Sequence, residues 1–158
     1  MIFTLATFTL IHVAISLIGI GSGLVVAIGL IRGARLDSWT VIFLATTVAT
    51  SVTGYGFPFE RLLPSHIVGG ISLLVLAVAI FARYGRRLAG GWRRVYVIAA
   101  VAALYLNVFV LVVQLFRRVP ALQALAPTQS EPPFGIAQLV VLALFVGLGA
   151  KAAIGFRG

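Results

Sequence analysis

The sequence predicts an all-α integral membrane bundle of five transmembrane helices, with its N-terminus outside and its C-terminus cytoplasmic. Three observations predict it. The 158 residues are 61% hydrophobic and 9% charged, with a mean hydropathy of +1.16. A soluble domain carries about 25% charged residues and needs them to clothe its surface. Several uninterrupted apolar runs reach the roughly 20 residues that cross a bilayer as a helix. The basic residues fall at the ends of those runs, where they anchor helices and set topology.

The first run covers 2–31. At about 1.5 Å per residue it exceeds the ~30 Å of hydrocarbon it must cross, so it tilts or emerges at its outer end. His12, Ser16, Gly19 and Gly23 share one helical face, and their small size lets a neighbour approach closely. Residues 1–10 have no basic start and no small-residue cleavage pattern, and read as the start of a retained helix. The second helix covers 39–55, with Asp37 or Ser38 as its cap and Trp39 at the interface. Its later half holds Thr46, Thr47, Thr50, Ser51 and Thr53. Hydroxyls in lipid need partners, and the carbonyl one turn back is the nearest.

A turn through Pro58, Glu60, Arg61 and Pro64 leads to the third helix, 66–82, with Ser65 as its expected cap and His66, Gly69, Gly70, Leu73 and Ala77 as its expected packed face. The basic loop 83–94, RYGRRLAGGWRR, precedes the fourth helix, 95–116. There Ala99 or Ala100, Ala103, Asn107 and Gln114 mark the inner face. The stretch 117–134 holds four prolines, and its Val119, Leu122 and Leu125 suggest a short interfacial helix. The fifth helix covers 135–156, with Gln138 near its start and Lys151 near enough to the other end to snorkel. No repeat and no separate soluble domain is visible, so 1–158 reads as one membrane domain.

With the N-terminus outside, the cytoplasmic side receives Arg32, Arg35, Arg83, Arg86, Arg87, Arg93, Arg94, Lys151 and Arg157, nine in all. The outer side receives three: Arg61, Arg117 and Arg118. The opposite orientation would reverse the usual excess of cytoplasmic Lys and Arg. The formal net charge of +9 is thus a topology signal, with attraction to anionic lipid at 83–94, and nucleic acid is not an implied partner. The cysteine count of zero excludes a disulfide framework and thiolate chemistry.

The two histidines lie at matched depth. His12 is 20 residues before Arg32, and His66 is 17 before Arg83. That offset is about 4.5 Å along a helix axis. Asn107, Gln114 and Gln138, with Ser16, Thr50, Ser51 and Tyr55, add polar groups to an expected pocket open toward the outside. Ionisable side chains inside spanning segments are costly and often functional. Three readings stand. His12 and His66 hold haem b axially from two helices, in a redox or accessory role. Alternatively the histidines, with Glu60 or Glu131, bind a divalent metal or handle a small solute. In the third reading there is no ligand, and the chain is a structural or interaction subunit of a membrane complex, with a partner protein or a second copy of itself. No nucleotide-binding loop, zinc-protease motif or serine or cysteine nucleophile constellation is present, which argues against an enzyme.

The segments LATTVATSVTGYGFPF, LPSHIVGGISLLVLA and LYLNVFVLVVQLFRRVPALQALAPTQSEPPF resemble a group of small bacterial inner-membrane proteins to which no activity is assigned. The resemblance covers most of the chain and implies a multi-pass protein of that membrane, but no cofactor or site. Histidines in a small bundle are also similar to cytochromes of the b561 type. Two histidines hold at most one bis-histidine haem, so that likeness is one of architecture.

Overall fold

A computed structural model of the chain describes residues 5–55 and 64–156, with side chains from Thr7 and from Ile67 onward in the two segments. It is helical throughout, with no strand among the described residues. The order is α1 (Leu5–Ile31), α2 (Asp37–Gly54), α3 (Pro64–Ile80), a π-helical turn (Phe81–Gly85), α4 (Trp92–Arg118), the short α5 (Pro120–Leu125) and α6 (Pro132–Gly155). Four helices are long and apolar enough to cross a membrane: Thr7–Ile31, Ile67–Gly85, Trp92–Arg118 and Pro132–Gly155. The second expected span is not among them. Helix α2 has 18 residues, but its threonines and serines dilute its apolar content.

The long helices alternate in direction. At one end the last residue of α6 meets the last residue of α1: a Cβ on Gly155 would lie 2.2 Å from the Ile31 carbonyl oxygen. The start of α4 joins them there through Tyr96 and Phe156, whose ring centroids are 6.1 Å apart. The start of α2 and the end of α3 meet at the same place through Arg83 and Asp37. Helix α1 stops in a Schellman turn. Gly33 takes a φ of +76°, its N–H donates to the Leu30 carbonyl, and the Ala34 N–H donates to Gly29 at 2.7 Å. Glycine adopts that left-handed conformation without steric cost.

Helix α4 is the centre, packed on α1, α2, α3 and α6. Its buried Tyr96, Val97, Ala100, Ala103, Leu104 and Asn107 repeat at helical spacing along one face. Gly23 lets α1 come close to α4 and α2. A Cβ there would lie 2.6 Å from Leu104 Cδ1 and 2.9 Å from the Phe43 ring. Large apolar side chains cover the outside, among them Leu10, Leu74, Leu139, Leu144 and Ile154. In water such a surface would be a severe liability, whereas in lipid it is the expected exterior.

Several local expectations change. Helices α2, α3, α4 and α6 begin two or three residues earlier than their apolar runs, at Asp37, Pro64, Trp92 and Pro132. Proline suits a first helical turn, where its missing N–H is not needed, and Trp92 to Arg94 continue α4 into the basic loop. Neither Asp37 nor Ser38 caps α2. Its N-cap is Leu36, at a φ of +44° and without a side-chain hydrogen bond, while the Asp37 carboxylate turns to Arg35 and Arg83. Ser65 lies inside α3. The packed face of α3 is also rotated from the expected one. Ser72, Leu76 and Ala79 are buried, whereas Gly70 and Ala77 are exposed. Glycine and alanine fit a packed or a lipid face equally well, so they mark phase poorly, whereas Leu76 fills space in the core.

Arg83 is buried, at 3% exposure. The π-helical turn carries it, with the Arg86 N–H reaching back five residues to the Phe81 carbonyl at 2.8 Å. One guanidinium nitrogen donates to Tyr96 Oη at 3.1 Å. The other donates to the Arg35 carbonyl at 3.2 Å and to Asp37. Its carbon also stands 5.2 Å from the Tyr96 ring centroid, within cation–π range. A single buried cation thus ties α2, α3, α4 and the α1–α2 loop together.

Candidate functional site

The far end of the bundle is held apart where the Arg83 end is clasped. A cavity of about 420 Å³ opens there among α1, α2, α3 and α4, within the size range of small-molecule sites. Helix α1 lines it with His12, Ser16 and Leu17, and α2 with Thr50, Ser51 and Tyr55. Helix α3 adds Gly69 and Ser72, and α4 adds Asn107, Val110, Gln114, Arg117 and Arg118.

Four hydroxyls of α2 are already satisfied within the helix. Thr46, Thr50, Ser51 and Thr53 each donate to the carbonyl four residues back, at 2.6 to 3.0 Å. That pattern lets a hydroxyl-rich helix sit in apolar surroundings. Thr53 Oγ1 also lies 2.7 Å from His12 Nδ1, a hydrogen bond that joins α2 to α1 and orients the imidazole ring.

Ser16 Oγ donates to Asn107 Oδ1 at 3.3 Å, linking α1 to α4. Asn107 Nδ2 and Thr47 Oγ1 both pack over Gly19, each 3.2 Å from where a Cβ would stand. Both atoms are buried without a hydrogen-bond partner. Ser51 Oγ lies 3.1 Å from Ser72 Oγ, joining α2 to α3. The Tyr55 hydroxyl closes over Gly69 and Gly70, 3.2 and 3.3 Å from their Cβ positions. Arg118 donates to Gln114 at 3.0 Å.

The residues singled out in the sequence therefore divide. His12, Ser16, Thr50, Ser51, Tyr55, Asn107 and Gln114 stand around this one cavity. Gln138 does not line it: on α6 its Nε2 lies 3.4 Å from the Phe109 carbonyl, and its Oε1 is buried without a partner. Glu131 is the N-cap residue of α6 and accepts from the Thr128 N–H at 3.0 Å. The Thr128 hydrogen bonds hold its carboxyl below the usual range. Glu60 lies outside the described residues. His66 is in the first turn of α3, and its side chain lies outside the described ones. No three metal-ligating side chains gather among the described residues.

Sequence reasoning missed Ser72, Arg117 and Arg118 as wall residues. Ser72 fell off the expected face of α3. The two arginines carry a signal, a basic pair ending an apolar run, that marks a membrane boundary as well as it marks a site. No family model, no curated protein and no solved structure matches the chain. The fold and cavity define a class: an all-helical protein, built of long apolar helices suited to a multi-pass membrane protein, that holds between four helices a largely apolar cavity with polar side chains in its wall.

Proposed function

We propose that the chain is a multi-pass protein of a bacterial inner membrane that binds a small ligand in the cavity walled by His12, Ser16, Ser51 and Asn107. The carrying observation is that cavity of about 420 Å³, where polar side chains of α1, α2, α3 and α4 converge. Polar groups inside a membrane are expensive, and a shared hydrated or liganded space is what makes their convergence tolerable. In this reading α2 is the fifth span. Its alternation with α1 and α3 supports that, as do its back-bonded hydroxyls. The N-terminus is outside, the cavity opens outward and the Arg83 end is cytoplasmic, in keeping with the excess of basic residues at that end.

A second, finer reading has haem b as the ligand, held axially by His12 and His66. The observation favouring it is the Thr53–His12 hydrogen bond, which orients the imidazole ring at the cavity wall.

The test is direct. Protein purified in a non-ionic detergent is examined by native mass spectrometry and visible absorption, beside Val110→Trp, which fills the cavity. A small molecule retained by the wild type and lost from the variant is the expected result. A wild type that retains and accepts nothing, from a panel of quinone, haem, fatty acid and fatty alcohol, overturns the binding reading and favours a structural subunit. A Soret band lost in both His12→Ala and His66→Ala is the expected result for haem, and a colourless protein from haem-supplied cells rejects it.

A further inference from the structure

Among the described residues, the side chains of fixed charge that line the cavity are Arg117 and Arg118. Among the described residues, the ion pairs of the chain are those of Asp37 at the opposite end, so neither arginine is neutralised by a described carboxylate. Both are exposed at the end of α4. They stand ten and eleven residues beyond Asn107, which is about 15 to 17 Å along the axis. Between them the walls of α1 and α4 carry the apolar Val13, Val110, Leu111 and Leu115.

We infer that the ligand is a single-chain anionic amphiphile, its carboxylate or phosphate head held by Arg117 and Arg118 and its apolar chain running along α1 and α4 toward Ser16. This rests on the cavity being a binding site. The physical case is a match of polarity by depth. Guanidinium groups make charge-assisted, often bidentate hydrogen bonds to carboxylate and phosphate oxygens, and Gln114 holds Arg118 by its Nε, which limits the search that guanidinium must make. A cation-bearing ligand would meet two like charges at the mouth. A compact polar solute would leave the apolar stretch of the wall uncovered.

The experiment measures binding of hexadecanoate, hexadecyl phosphate and hexadecanol to the full chain in non-ionic detergent, with acetate and inorganic phosphate as headgroups without a chain. Both long-chain anions should bind at least about tenfold more tightly than the alcohol, since hydrogen bonds to a charged group are worth roughly tenfold or more. The short anions should not bind at millimolar concentration. The Arg117→Gln/Arg118→Gln double variant should bring the long-chain anions to the affinity of the alcohol and leave the alcohol unchanged, which also reports that the variant is folded. A preference for one long-chain anion identifies the head as carboxylate or phosphate. Equal binding of acid and alcohol, or an anion preference that survives the double variant, overturns this inference while the cavity reading stands. Failure of all three long-chain ligands to bind, or binding unaffected by Val110→Trp, also overturns this inference, and the cavity reading falls with it only if quinone and haem fail to bind as well.

Discussion

Asp37, the first residue of α2, is paired with Arg83 on the π-helical turn that ends α3. The two halves of the pair are unequally placed. The arginine side chain is 1% exposed and the carboxylate side chain 72%. The cost of the arrangement therefore falls on the buried cation, which the Tyr96 hydroxyl and the Arg35 carbonyl help to satisfy. Arg83→Met should lower the melting temperature far more than Asp37→Asn, because it unties three elements at once, whereas the asparagine leaves the other two acceptors in place. Thermal unfolding in detergent measures both, and an equal loss would show that the carboxylate, not the buried cation, organises this end.

The same pair predicts a pH dependence. Arg83 and then Arg35 beside Asp37 hold its carboxyl below the ordinary range. A group whose folded value is lowered stabilises fully above its unfolded value, and that contribution is lost as pH falls through the folded one. The stability gap between wild type and Asp37→Asn should be constant above about pH 5 and close as the pH drops below the ordinary Asp range of ~3.9. Melting curves of the two proteins from neutral to acid pH check this, and a gap that widens on acidification would contradict the sign.

Gly155→Ala should destabilise, by about 1–3 kcal/mol as for other overpacked sites. The added Cβ would meet the Ile31 carbonyl oxygen at 2.2 Å, with backbone on both sides and nothing flexible to give way. Gly147→Ala is the internal comparison. Nothing stands within 4 Å of its Cβ position, so alanine's helix preference should leave it neutral or more stable, by up to about 1 kcal/mol. Chemical unfolding of the pair, side by side, gives the difference.

Thr47→Val should not destabilise, and a gain of up to about 1 kcal/mol is expected. The Thr47 hydroxyl is fully buried and has no partner, and valine keeps its shape without the desolvated oxygen. Thr46→Val, which removes a hydroxyl bonded to Ile42 at 2.6 Å, serves as the contrast. A clear loss of stability in Thr47→Val would mean that the hydroxyl is satisfied in the membrane.

A reporter active only outside the cytoplasm, fused after Gly158, should be inactive, while one inserted in the α5–α6 turn near Gln129 should be active. The opposite pattern would reverse the orientation or remove α2 from the set of spans, and activity at both sites would mean that α6 does not cross.

Helical phase was legible where polar or bulky residues carried it. His12, Ser16, Gly19 and Gly23 share the inward stripe of α1, and Ala100, Ala103 and Asn107 that of α4, because a polar group among apolar ones has one acceptable side. In α3 the markers were glycine and alanine, which either surroundings accept, and the packed side proved to be that of Ser72, Leu76 and Ala79. Caps were read less well, since Asp37 is a good cap by type but is claimed by Arg83, a residue 46 positions away.

By itself the sequence determined that this is an all-helical protein with long apolar helices. Composition and run length depend on each residue's own affinity for water and on the rise of a helix, and no neighbour is needed to evaluate them. Only the tertiary structure decided that Arg83 closes one end, that Arg117 and Arg118 join the wall at the other, and that Gln138 stands apart from Asn107 and Gln114. Those outcomes depend on which helices touch and at what rotation. Contacts between distant segments set both, and the pattern within a single helix leaves them open.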